Sequence, residues 1–134
     1  MGMVQVMIVA GIGFRAGATA QQIDAALAAA LESGGFAAET LTVIATMAGK
    51  GLEAGSIKAA ASRGVPLVMV ALQDLEAVAE RTVTKSERVQ ELIGVPSVAE
   101  CAALAAGGLS ARIVVPRVVI GPATCALAQT GEAS

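Results

Sequence analysis

The sequence predicts an α/β fold: a three-layer α/β/α arrangement whose sheet is mainly parallel but mixed, and ends in an antiparallel hairpin. Three observations carry this expectation. Apolar runs of strand length alternate with segments of helical periodicity along the chain. The first three runs are apolar almost throughout, the pattern of strands covered on both faces. Two last runs, at residues 118–120 and 125–128, flank Gly121-Pro122 and suggest a hairpin. At 134 residues the chain suits one domain, placed at residues 1–130, with residues 131–134 (GEAS) expected to fray.

Each element has a local reason. Residues 4–10 (VQVMIVA) read as a central strand interrupted by a single polar residue, Gln5. Thr19 and Gln22 fit a capping box, and Ile23, Leu27, Ala30 and Leu31 then recur at helical spacing until Gly34-Gly35. A second strand is expected at residues 41–46 (LTVIAT). Gly49, Gly51 and Gly55 surround Lys50 and Glu53 in the following loop, and a helix continues to about Arg63. Gly64-Val65-Pro66 turns the chain into a third strand at residues 67–72 (LVMVAL), and residues 73–81 form a short acidic helix or loop. A cap within residues 84–87 opens a helix carrying Val89, Leu92 and Ile93, broken by Gly94-Val95-Pro96. Ser97 and Glu100 make a second capping box before an alanine-rich helix that ends at Gly107-Gly108, and residues 112–115 form a fourth strand.

Composition excludes several function classes. The chain is 55% hydrophobic with a mean hydropathy of +0.73. Much of this is alanine, and no run reaches the roughly 18 apolar residues of a membrane span. No basic segment precedes the first apolar run, so no secretory leader is expected; the expectation is a cytoplasmic protein that does not engage membranes. A net charge of −2 and just two aromatics, Phe14 and Phe36, argue against nucleic acid, which needs cations for phosphates and rings for bases. Cys101 and Cys125 lie far apart with no CxxC motif, consistent with two buried thiols. Histidine is absent and the aspartates are Asp24 and Asp74. Neither a metal nor a cofactor is expected, and chemistry must rest on Glu, Lys, Arg, hydroxyls, backbone amides or the substrate.

In α/β sheets ligands gather at the carboxyl ends of the strands, where the loops at residues 11–18, 46–55 and 72–86 are expected to converge on one anion-binding cleft. The first contains Gly11-Ile12-Gly13-Phe14-Arg15-Ala16-Gly17. As a dinucleotide fingerprint this lacks the acidic residue that should end the second strand; Glu39 instead precedes that strand. No Gly-Lys-Ser/Thr follows, which excludes a Walker A loop. Arg15, a planar donor among turn amides at a helix start, suits a carboxylate or phosphate clamp. Lys50 and Glu53 in the second loop can form a surface ion pair, and Glu53 can favour a helix N-terminus electrostatically. Ser86 in the third can cap a helix, the better reading, or offer its hydroxyl to a ligand.

Taken in order, the residue 11–23 motif, A-T-x-x-x-K-x-x-E-x-G at 45–55, S-E-R-V with G-V-P-S-V-A-E at 86–100, and VVPRVVIGPATCALA at 114–128 resemble the CbiG C-terminal domain family of cobalamin biosynthesis. The likeness runs from about residue 7 to 128, and a free-standing chain of this length resembles the CobE-like members. The resemblance implies binding of a corrinoid or precorrin intermediate in the aerobic pathway to vitamin B12, with other enzymes of that pathway as partners. The alternative it implies is a hydrolase that opens a precorrin lactone with loss of acetaldehyde, as in two-domain members. A nucleotide- or phosphate-binding regulator stands as a third reading.

Departures from the family pattern bear on the choice. Phe14 stands where a cysteine is usual, Ala16 where a second basic residue is usual, and Ala48 where an aspartate precedes the lysine. Those losses weigh against catalysis and leave Lys50 and Glu53 as the candidate catalytic groups. The retained Gly11, Gly13, Arg15, Gly17, Thr46, Lys50, Glu53 and Ser86 are expected to form a substrate-binding surface, since precorrins carry many carboxylates. Phe14 joins that set as a ring able to pack on the macrocycle, unless it packs in the core.

Overall fold

A computed structural model describes residues 6–131. Residues 132–134 of the tail expected to fray at 131–134, and the start of the first apolar run at residues 4–5, lie outside the described residues.

Five strands form one sheet in the order β3-β2-β1-β5-β4. They are β1 (Ile8–Phe14), β2 (Leu41–Met47), β3 (Leu67–Val70), β4 (Arg112–Ile120) and β5 (Ala123–Gln129). β1 runs parallel to β2, and β2 to β3. β5 pairs antiparallel with both β1 and β4. The expected mixed α/β sheet with a terminal hairpin is therefore what the chain forms, and the hairpin inserts its second strand directly beside β1.

Alternation of side chains along β1 divides the core in two. Ile8, Ala10, Ile12 and Phe14 face α1 (Ala20–Gly34) and α2 (Ala54–Arg63), joined there by Ile23, Leu27, Leu31 and Ile44. Val9 faces the opposite layer, where Cys101, Ala102 and Leu104 of α5 (Val98–Gly107) and Leu75 of α3 (Leu72–Ala77) pack. A further helix, α4 (Glu87–Ile93), buries none of its residues.

Local capping behaves as the residue types require. Thr19 and Gln22 exchange both bonds of a capping box, and α1 ends on Gly35 in the left-handed region at φ 71°. Ser86 caps α4, its hydroxyl accepting from Val89 N at 3.3 Å. Ser97 caps α5 by accepting from Glu100 N at 3.2 Å. The return bond of that second capping box does not form. Glu100 is drawn away by the amides of Val83, Thr84 and Arg117, which its carboxylate accepts at 2.7, 3.0 and 2.9 Å.

Three strand assignments change. β1 starts at Ile8 and continues through the glycines to Phe14, so Gly11 and Gly13 are strand residues rather than a turn. A side chain at Gly11 would fall on the Ala99 carbonyl oxygen; the missing Cβ is what lets α5 lie directly on the sheet. β3 is a four-residue edge strand, not a strand covered on both faces, with Val68 and Met69 exposed. Its chain leaves the sheet at Ala71 to start α3. Finally, residues 112–120 form one strand across Pro116. β4 is the other edge, and its register with β5 shifts between Val115 and Val118, so the missing proline N–H disrupts no regular ladder.

Candidate functional site

The turn after β1 and the loop after β2 meet at the carboxyl edge of the sheet. Arg15 N donates to Pro122 O at 3.0 Å and Ala18 N to Arg15 O at 3.1 Å, which curls the chain between β1 and α1. Gly17 completes that curl at φ 83°, a conformation costly for a residue with a Cβ. The Arg15 side chain and Gly17 are both exposed there.

The loop after β2 is a 3₁₀ turn at Lys50–Leu52 that runs into α2. Its backbone is held from below by Ser56, a fully buried residue whose hydroxyl lies 3.2 Å from Lys50 O and 2.9 Å from Glu53 O. The side chains above are tied together. Glu53 Oε2 pairs with Lys50 Nζ at 3.0 Å, and Glu53 Oε1 accepts from Gly17 N at 3.3 Å. Lys50 Nζ also lies 5.1 Å from the centroid of the Phe14 ring, within reach of a cation–π attraction. The hydrogen bond from Lys50 is the main cause that holds the Glu53 carboxyl below its ordinary value; the Gly17 N–H adds to it, against an opposing push from burial.

An open cleft of about 660 Å³ lies between these segments, lined by residues 17–20 on one side and by residues 53–55, 57, 58 and 61 on the other. The N-termini of two helices, α1 and α2, therefore face one cavity with their positive dipole ends; α1 is capped by Thr19, whereas α2 has no side-chain capping bond. Ile57 offers an apolar surface there and Lys58 an ammonium.

The expected residues separate into three groups. Arg15, Gly17, Lys50 and Glu53 come together at this edge. Gly11 and Thr46 are buried and serve packing: Gly11 lies under α5, and the fully buried Thr46 donates its hydroxyl to Ile12 O at 2.9 Å. Phe14 takes the core alternative, 9% exposed, and Gly13 faces Thr124 of β5 and Val98 of α5. Ser86 belongs elsewhere. It lines a different cleft of about 640 Å³ with Glu80, Lys85, Glu87, Gln90, Glu91 and neighbouring residues, and the two clefts share no lining residue. Two of the three loops converge as expected; the third does not.

Sequence reading missed Ser56, Ile57 and Lys58. Ser56 carried a signal, a hydroxyl residue in the first turn after Gly55, but Ile57 and Lys58 face the cleft only because α2 crosses beside α1. Among the described residues, no cluster of three or more His, Cys, Asp or Glu side chains could hold a metal ion, and no single helix is long and apolar enough to cross a membrane.

Comparison with known proteins agrees with the fold and extends it. A family described as "Cobalamin synthesis G C-terminus" matches residues 8–128. Protein CobE from Sinorhizobium sp is 33% identical over 121 residues, which span 90% of this chain and 79% of that protein. The crystal structure of CobE, a protein from the cobalamin (vitamin B12) biosynthetic pathway, superposes with a TM-score of 0.91 at 29% identity, covering 99% of this chain and 98% of the other. Cobalamin biosynthesis protein chiG from Agrobacterium tumefaciens str. C58 superposes with a TM-score of 0.75 at 44% identity, over 94% of this chain and all of the other (100%). The family match over nearly all of the described residues, together with these relatives, shows that the chain belongs to the CbiG C-terminal family of cobalamin biosynthesis.

Proposed function

We propose that the protein binds a corrinoid or precorrin intermediate of cobalamin biosynthesis, taking peripheral carboxylates of the macrocycle into the cleft between the starts of α1 and α2. The observation that carries this reading is the convergence of two helix N-termini on one open cavity, with Lys50 paired to Glu53 in its lining. Lys58 in the lining and the exposed Arg15, two residues before Gly17, supply cations for a ligand with several carboxylates, and Ile57 an apolar contact for its ring edge. In this reading the protein works in the cytoplasm and passes its ligand to other enzymes of the pathway.

Binding is favoured over lactone opening. A carboxylate held ionised by Lys50 is a weak general base, because proton abstraction near neutral pH is served best by a group whose pKa lies close to that pH. The hydroxyls that flank the loop, Thr46 and Ser56, are both fully buried and spent on main-chain carbonyls.

The test is calorimetric titration with hydrogenobyrinic acid, a corrin polycarboxylate, and separately with NAD and ATP. The reading expects saturable binding of the corrin that weakens as salt rises, and none of the nucleotides. Nucleotide binding without corrin binding overturns it. Acetaldehyde released from a lactone-bearing precorrin above background would restore the hydrolase reading.

A further inference from the structure

We propose that Glu53 is the protein's own occupant of the carboxylate site, and that a ligand binds by exchanging its carboxylate for that of Glu53. The proposal rests on reading the α1/α2 cleft as a carboxylate site, and gives that site a selection rule.

Both oxygens of Glu53 are already spent on the partners an incoming carboxylate would seek: the Gly17 N–H at 3.3 Å and the Lys50 ammonium at 3.0 Å. The ion pair is partly open to solvent, with side-chain exposures of 27% and 30%, so it resists exchange weakly. The loop does not depend on it. Glu53 begins α2 with no side-chain capping bond, and the backbone there is fixed by Ser56 and by Ile57 N donating to Glu53 O at 3.3 Å. Its side chain can therefore swing out while the main chain stays in place. Lys50 also keeps a second anchor when Glu53 leaves, because its ammonium lies over the Phe14 ring and stays aimed at the vacated position.

Exchange makes Glu53 a specificity-determining residue. A ligand carboxylate restores the charge that Lys50 loses and the acceptor that Gly17 loses. A carboxamide restores the acceptor but not the charge, so the corresponding amide cannot displace Glu53 on equal terms. A ligand that fails to displace Glu53 meets its negative charge at the mouth of the cleft.

The test compares the wild type with Glu53→Gln and Glu53→Ala, using hydrogenobyrinic acid, its amidated derivative, and citrate as a small carboxylate probe. Affinity is read by calorimetry and the Gly17 amide resonance by NMR. The expected result is about three- to tenfold tighter binding of both acids by the variants, and a narrower preference for acid over amide. The Gly17 resonance, moved by citrate in the wild type, should already be displaced in the unliganded variants. Weaker binding by both variants overturns the proposal, since Glu53 would then hold the ligand or position Lys50. Unchanged corrin affinity overturns it too, while leaving the corrinoid reading standing. Conversely, tighter citrate binding by the variants without any corrin binding keeps the exchange and sinks the corrinoid reading. No response at Gly17 to either acid sinks both.

Discussion

The carboxylate of Glu100 and the main-chain N–H of Arg117 meet at 2.9 Å, fastening the first turn of α5 to the edge strand β4. The other carboxylate oxygen accepts from Val83 and Thr84, so one fully buried side chain joins three separate segments. Burial pushes its carboxyl up, but hydrogen bonds from Thr84, Arg117 and Val83 outweigh that and leave it below its ordinary value of 4.5.

That arrangement has a pH signature. A carboxyl that ionises more readily folded than unfolded adds stability above its unfolded pKa, and loses it as pH falls through the folded one. Urea unfolding followed from pH 7 downward should show stability falling below about pH 4.5. Glu100→Gln replaces an acceptor oxygen by an amide group and strands at least one backbone N–H. It should cost about 2–4 kcal/mol at pH 7 and flatten the acid limb. A variant as stable as the wild type would refute the fastening role.

Gly11 and Arg15, neighbours in one motif, should respond oppositely to alanine. Gly11→Ala forces a methyl into the α5 backbone and should lower stability by about 2 kcal/mol or more in urea titrations, with corrin affinity of the folded fraction kept. Arg15→Ala removes an exposed cation and should leave the thermal midpoint within about 1 °C while weakening corrin binding about tenfold. Thr46→Val belongs with Gly11: it loses the bond to Ile12 O and about 1 kcal/mol of stability. Lost corrin binding by folded Gly11→Ala or Thr46→Val would return those residues to the ligand-binding set.

The two cysteines should be silent in the native protein. Burial raises the Cys101 thiol to about 11 and the Cys125 thiol to about 12. A thiol-reactive disulfide reagent at pH 8 should label neither until denaturant is added, and then both. Rapid native labelling of Cys125 would mean that the β5 layer opens far more readily than its packing implies.

What the sequence revealed and what it hid follow from the range of the interactions concerned. Thr19 and Gln22, Gly35, Ser86 and Ser97 act within one helical turn, so helix ends were legible. The position of β1 was not, because Gly11 and Gly13 have the composition of a turn, and only α5, nearly 90 residues later, explains them as close-contact positions in a strand. Glu100 read as a capping partner because its true partners, including Arg117, are distant and use backbone atoms that no residue type marks. The site shows the same division. Lys50 and Glu53 are separated by three positions and pair as expected, whereas their union with Gly17 spans 36 positions and depends on β1 and β2 lying side by side. Ser86 was misplaced because the face of the sheet on which a loop lands depends on helix packing rather than on strand order.

The insertion of β5 between β1 and β4 also governs when the protein can become itself during synthesis. β1, the first of the described strands to be made, pairs over seven positions with the last of them, so its second hydrogen-bonding edge stays bare until residues 123–129 have left the ribosome. Until then the α1–β2–α2–β3 segment can assemble, but Gly11 and its neighbours border an open ladder. Gly17 and Glu53, which line the cleft, and Lys50, which pairs with Glu53, all lie in that early segment, so the proposed binding groups emerge well before the strand that closes the sheet beneath them.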